Sequence, residues 1–237
     1  MTTRDKAYEW IDAHKDDMVD LWKQMVTIDS GIGVKEGGME MGNLCAGILE
    51  KLGFSIRRVS YEKCGDTIIG ERGDLSKPYT ILMGHMDTVF FKGEPEKRPF
   101  TIKDGKAYGP GVLDMKGGVT ILLYAVRFLL EAGYNRYRIK IILAGDEEVA
   151  HGNSTASADY EKEAKGAVMG FNLETGCVDN SVVIERKGVA QYLFEVDGVG
   201  AHAGNNPEDG RSAVEELAHK ILDIQAETDW QEGTTVN

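Results

Sequence analysis

Three acidic clusters, each placed where an apolar run stops, constrain this chain more than any other feature. Tyr79-Thr80-Ile81-Leu82-Met83 leads into Gly84-His85-Met86-Asp87-Thr88-Val89. Arg138-Ile139-Lys140-Ile141-Ile142-Leu143-Ala144 leads into Gly145-Asp146-Glu147-Glu148. Between them lies Gly109-Pro110-Gly111-Val112-Leu113-Asp114-Met115-Lys116-Gly117-Gly118. Apolar runs of this length, rich in Ile and Leu, read as buried strands. In open α/β sheets, sites form just outside the carboxyl ends of strands. One histidine and several carboxylates are therefore expected to converge on one sheet edge. Imidazole with carboxylates is the ligand set of zinc or a similar divalent ion.

The remaining pattern fits around that stretch. Residues 3–26 place Tyr8, Ile11, Met18, Leu21, Trp22 and Met25 at helical spacing, which predicts one amphipathic helix. Ser30-Gly31-Ile32-Gly33 and Gly37-Gly38 predict a loop, and a second helix is expected over 39–52, stopped by Gly53. Strands are expected over 54–59 and 67–71. Asp104-Gly105 between two short apolar segments is a hairpin signal. A long apolar helix is expected over 115–133. It puts Asp114 at its N-terminus, where, seen alone, it reads as an ordinary N-cap. A helix over 154–165 and a buried strand over 166–173 follow, and the strand ends at Glu174. The alternation predicts an α/β fold with a mostly parallel sheet flanked by helices.

After Gly176 the character changes. Residues 181–185 and 188–196 read as strands, the second half-exposed and antiparallel. A glycine-rich loop holds Ala201-His202-Ala203-Gly204, and a helix is expected over 210–226. Residues 234–237 read as a strand just starting. A domain boundary is expected near 180–187, giving units 1–183 and 184–237.

Composition bounds the function classes. The 237 residues, 42% hydrophobic, suffice for a packed core. A formal charge of −12 argues against nucleic acid or an anionic membrane as partner. Cys45, Cys64 and Cys177 form no disulfide or zinc-knuckle spacing, and neither a signal-peptide core nor a long apolar span is seen. A cytoplasmic location is expected.

With these residues in view, the chain resembles the M20 family of metallopeptidases, which holds glutamate carboxypeptidase, desuccinylases, deacetylases and aminoacylases. The resemblance rests on the three clusters, on Glu174, and on Ala201-His202-Ala203-Gly204 with Pro207-Glu208, in the same order and separation. It implies a zinc-exopeptidase-like catalytic domain over 1–183 and the start of an inserted α+β lid domain over 184–237, through which members form homodimers. It implies two zinc ions, although the ligands also admit cobalt or manganese. Asp114 resembles the carboxylate shared by both metals, His85 and Glu174 the other ligands of one, and Glu148 a ligand of the second. Asp87 resembles the residue that orients His85, Glu147 the general base, and His202 the lid histidine that stabilises an oxyanion. The implied substrate is a small peptide or N-acyl amino acid, with a glutamate-type carboxypeptidase favoured.

The family completes its second metal with a histidine far downstream. Of the histidines here, His14 and His219 fall on expected surface helices, and His151 has no place in the family pattern. The chain is therefore expected to be the N-terminal portion of a longer enzyme, with an unpaired sheet edge. Three other readings stay open: another M20 specificity, a catalytically incomplete metal-binding fragment, and an unrelated acidic binding module. The last predicts no tight metal and no effect of Asp114→Ala on metal content.

Overall fold

The computed structural model describes residues 3–179 and 181–237 and divides into two compact units, Met1–Val183 and Ile184–Asn237. In chain order the first unit runs α1 (Thr3–Ala13), α2 (Lys15–Thr27), α3 (Lys35–Lys51), β1 (Ser55–Val59), β2 (Thr67–Arg72) and β3 (Tyr79–His85). It continues with α4 (Glu94–Lys97), β4 (Thr101–Lys103), β5 (Lys106–Tyr108), α5 (Lys116–Glu131), β6 (Arg138–Ala144), α6 (Ala156–Ala164) and β7 (Met169–Asn172). The second unit holds α7 (Ala213–Ala226).

The main sheet has the order β1-β2-β6-β3-β7. β3 pairs in parallel with β6 and β7, while β2 pairs antiparallel with β1 and β6. So β1, β3, β6 and β7 point one way and β2 runs against them. The sheet is mixed by pairing, but the strands that lead into the acidic clusters are all parallel neighbours. Register places His85 opposite Ala144, which brings the ends of two apolar runs side by side.

Strand alternation separates two faces. Ile68, Leu82, Ile139, Ile141 and Leu143 pack on one face against Met41 and Leu49 of α3 and Val119, Leu122 and Val126 of α5. Ile69, Ile81 and Ile142 on the other meet Tyr160 and Ala164 of α6. The hairpin β4–β5 turns at Asp104-Gly105 as its residue pair demands.

Several sequence expectations are corrected. The single helix over 3–26 is two, parted at His14. The His14 ring stacks on Trp10 at 3.9 Å, and its Nδ1 lies 2.7 Å from the Trp10 carbonyl, which also accepts the His14 N–H at 3.2 Å. Helix α3 begins at Lys35 and runs through Gly37-Gly38 rather than after it. A Cβ on Gly38 would lie 2.9 Å from the Gly65 Cα, so this glycine serves close packing, not a turn. β7 is shorter than expected and exposed at all four residues, because it pairs with β3 on one side only.

The strands expected over 181–185, across the unit boundary, and over 188–196 are not formed. A strand exists only by pairing, and no described segment pairs with them. Isolated bridges join Val199 to Arg211 and Asp229 to Thr234, the latter being all that forms of the strand expected at 234–237. Helix α7 is capped by Ser212, whose hydroxyl accepts from the Glu215 N–H at 3.1 Å.

The core assignment is testable by urea unfolding. Leu122, fully buried, should cost about 2–5 kcal/mol when truncated to Ala. Leu75→Ala, at 77% exposure, should stay within about 0.5 kcal/mol. Equal losses would contradict this placement of the core.

Candidate metal centre

The site is assembled from four strand or helix ends. β3 delivers His85 and, just beyond it, Asp87. β6 delivers Gly145-Asp146 and a 3₁₀ turn, Glu147–Val149. β7 runs out through Leu173 to Glu174. α5 starts just after Asp114, and its N-cap residue is Met115, with no side-chain cap. Asp114 is thus not spent on capping. The Asp114–Met115 peptide is cis. Gly118, in the first turn of α5, lets the Leu173 segment approach, since a Cβ there would run into the Leu173 carbonyl oxygen. That approach sets Glu174 beside Asp114.

His85 is the hub, 1% exposed. Its Nε2 lies 3.2 Å from Asp114 Oδ1, 3.1 Å from Glu174 Oε1 and 3.9 Å from Glu147 Oε2. Its Nδ1 lies 3.2 Å from both Asp87 Oδ1 and the Asp87 carbonyl. The Asp87 carboxylate does a second job. Oδ1 accepts the Glu147 N–H and Oδ2 the Glu148 N–H, both at 3.0 Å. One buried carboxylate therefore orients the imidazole and also fixes the turn that carries both glutamates.

Charge is crowded here. Burial pulls the His85 imidazole down, but Asp87 and Glu174 outweigh it and hold it up to about 11. Burial raises Glu147, and it pushes Glu148 up to about 7, against the pull of His85. The hydrogen bond with His85 holds Glu174 below the usual carboxylate range.

These residues fit a divalent cation. His85, Asp114 and Glu174 each offer a ligand atom, all within 4.8 Å of one another. The Glu148 Oε1 is buried without a hydrogen-bond partner among the described residues, an acceptor that calls for a cation or proton. Glu148 lies outside this three-residue cluster, in keeping with the resemblance, which gives it to a second ion.

His202 lies in the second unit, exposed, with Nδ1 accepting the N–H groups of Gly204 and Asn205. His151 joins the first unit's site. It lines a 230 Å³ cavity with His85, Glu147 and Glu174, its Nδ1 3.4 Å from Asp146 Oδ1.

Sequence reasoning missed three supports. The Tyr160 hydroxyl donates to the Gly84 carbonyl at 2.6 Å, and Ser30 Oγ to that of Met86 at 2.7 Å. Lys116, 1% exposed, donates to the Ile28 carbonyl at 2.7 Å, and burial lowers it to about 8. Lys116 lies within a flagged motif, Gly109 to Gly118; the other two carry no local signal.

Comparison with known proteins shows the family and the fold. The profile of peptidase family M20/M25/M40 matches residues 81–235. Carboxypeptidase G2 of Pseudomonas sp. (strain RS-16) is 32% identical over 203 residues, covering 84% of this chain and 49% of its own length. Succinyl-diaminopimelate desuccinylase of Dechloromonas aromatica (strain RCB) is 30% identical over 196 residues, covering 78% and 51%. Among solved structures, human carnosine dipeptidase 1 superposes with a TM-score of 0.63 at 25% identity, over 73% of this chain and 42% of that one. An M20 family metallo-carboxypeptidase from Sulfolobus solfataricus gives 0.65 at 19% identity, over 88% and 49%, a likeness of fold. The chain spans about half the length of the curated relatives it matches.

Two outcomes are expected. Asp87→Ala should weaken zinc binding about 10–100-fold, measured by competition with a chelating dye; an unchanged affinity would contradict its double role. Because Asp87 and Glu174 hold the His85 imidazole above its ordinary pKa, metal uptake at Nε2 is expected to displace a proton. Affinity should then rise with pH, about tenfold per unit for one proton displaced.

Proposed function

Because this chain belongs to peptidase family M20/M25/M40, we propose that it provides the metal-binding half of an amidohydrolase. The activity we assign is a glutamate-type carboxypeptidase, releasing a C-terminal amino acid from a small peptide or N-acyl amino acid. The observation that carries this reading is the convergence of His85, Asp114 and Glu174, with Glu147 3.9 Å from the same imidazole nitrogen. The name of carboxypeptidase G2, at 32% identity, supports the carboxypeptidase specificity over that of a desuccinylase, deacetylase or dipeptidase.

Bound at these residues, a divalent ion such as zinc, cobalt or manganese polarises an amide carbonyl and acidifies water. His85, Asp114 and Glu174 would hold one ion, and Asp114 with Glu148 would serve a second. Asp87 keeps the imidazole turned, by its contact with Nδ1. Glu147 takes a proton from the attacking water onto its carboxylate and returns it to the leaving amine nitrogen as the C–N bond breaks. Partial burial, which raises its pKa, suits it to both transfers. In this reading 1–183 is catalytic, and 184–237 is the beginning of a lid that also dimerises. His202 then stabilises the oxyanion. The free cysteines support a cytoplasmic location. No helix among the described residues is long and apolar enough to cross a membrane.

A second reading, a catalytically incomplete metal-binding fragment, is favoured by one observation: among the described residues, one group of three ligands forms, enough for a single ion. One experiment separates the readings. Metal content and hydrolysis of an N-acyl glutamate are measured together for the wild-type chain and two variants. Asp114→Ala should lose the metal. Glu147→Gln should keep it and lose turnover by about 10²–10⁴-fold. Wild-type metal without turnover would select the incomplete fragment. Metal content untouched by Asp114→Ala would overturn both readings.

A further inference from the structure

One imidazole beside the metal centre has no part in the proposed reaction. His151 shares an open cavity of 230 Å³ with His85, Glu147 and Glu174, and Tyr160 and Asn172 complete its polar lining. The chain takes an uncommon path to put it there. Ala150 and His151 are both left-handed, at φ 52° and 57°, a conformation uncommon for residues with a Cβ. Such strain persists where the surroundings fix it, and here Asp146 does so. Its carbonyl accepts the His151 N–H at 3.1 Å, its Oδ2 the Asn153 N–H at 3.1 Å, and its Oδ1 the Ser154 hydroxyl at 2.6 Å. The same Oδ1 lies 3.4 Å from His151 Nδ1. The ring sits against Tyr160, centroids 5.8 Å apart, and the Tyr160 hydroxyl is committed to the Gly84 carbonyl.

Asp146, 2% exposed, is a carboxylate and can only accept. The tautomer it favours carries the proton on Nδ1 and leaves the Nε2 lone pair free. No hydrogen bond or ion pair reaches that nitrogen among the described residues. Asp87 and His85 form the same pairing, but there Nε2 faces the other two ligands of the cluster. His151 lies outside that cluster, so its lone pair is open to something other than the ion. The rest of the cavity decides what. No lysine or arginine lines it among the described residues. With His85 and Glu174 holding an ion, Glu147 is left as a carboxylate, His151 as an acceptor, and Asn172 offers an amide oxygen. Acceptors gathered around one negative charge suit a cationic donor and disfavour a second carboxylate.

We propose that His151 is a specificity-determining residue, its Nε2 accepting from the free α-ammonium group of a dipeptide substrate. In a dipeptide the carbon that bears the ammonium is bonded to the scissile carbonyl. A carbonyl held beside Glu147 therefore brings the ammonium next to the cavity that Glu147 shares with His151. The inference rests on the amidohydrolase reading and chooses within it: a peptide with a free amino end over an N-acyl amino acid, whose acylated nitrogen is uncharged.

Two non-hydrolysable probes test it by calorimetry on the full zinc-loaded chain. One is the phosphinic analogue of alanyl-glutamate; the other is its des-amino form, in which hydrogen replaces the amino group. The wild type should hold the amino form at least about tenfold tighter, as one charge-assisted hydrogen bond implies. His151→Asn should keep the loop, because asparagine tolerates the left-handed conformation, yet its side chain is too short to place an acceptor where Nε2 stands. It should reduce the ratio between the probes at least about fivefold, with des-amino affinity and zinc content as in the wild type. His151→Phe is the second variant if His151→Asn fails to fold by circular dichroism. Equal binding of the two probes by the wild type would overturn the proposal. So would a ratio unchanged in the His151 variant, including equal weakening of both probes, which marks a structural role. A chain that takes up no zinc would overturn the metal reading and this inference with it, whereas zinc uptake with equal binding of both probes overturns this inference alone.

Discussion

The site depends on a single buried carboxylate. Asp87 contacts the His85 imidazole on one side and receives the N–H groups of Glu147 and Glu148 on the other. These contacts tie the end of β3 to the turn after β6, which register alone brings only into proximity. Charge-assisted hydrogen bonds of this kind are stronger than neutral ones, and in a buried setting an unpaired member is costly. Removing Asp87 would therefore free both the ring and the two glutamates from their common reference point.

The second constraint is electrostatic. Asp87, Asp114, Glu147, Glu148 and Glu174 surround one imidazole. Coulomb repulsion among them is relieved only by protons or by a cation. Asp87 and Glu174 hold His85 up, and Glu148 is raised first by its burial and then by the carboxylates beside it. A divalent ion meets the same excess and lets the imidazole bind through a neutral nitrogen. The tension that would destabilise an ordinary core is thus the source of metal affinity.

Much of this was legible in the residues, for a local reason. Strand ends are marked by where apolar runs stop, and ligand types by their chemistry, so His85, Asp114, Glu147 and Glu174 could be placed on one edge before any coordinate. The hairpin at Asp104-Gly105 was equally local. What escaped depends on partners distant in sequence. Gly38 looks like a loop residue until Gly65 is seen against it. β7 looks buried from Val168, Met169 and Phe171, but burial is set by what lies beside the edge, not by the strand's own side chains. Tyr160 and Ser30 hold backbone carbonyls next to His85 and Asp87, and neither belongs to a motif. The break at His14, where the ring stacks on Trp10 within its own turn, is not something hydrophobic spacing encodes. The expected strands after residue 180 followed alternation alone, and alternation does not supply a pairing partner.

The central claim is that His85, Asp114 and Glu174 act together as one ligand set. X-ray absorption at the zinc edge of the loaded chain tests it most directly. The account predicts a first shell of oxygens with a single imidazole and no sulfur, and the imidazole signal should vanish in His85→Ala. A sulfur ligand, two imidazoles, or an imidazole signal that persists without His85 would contradict it.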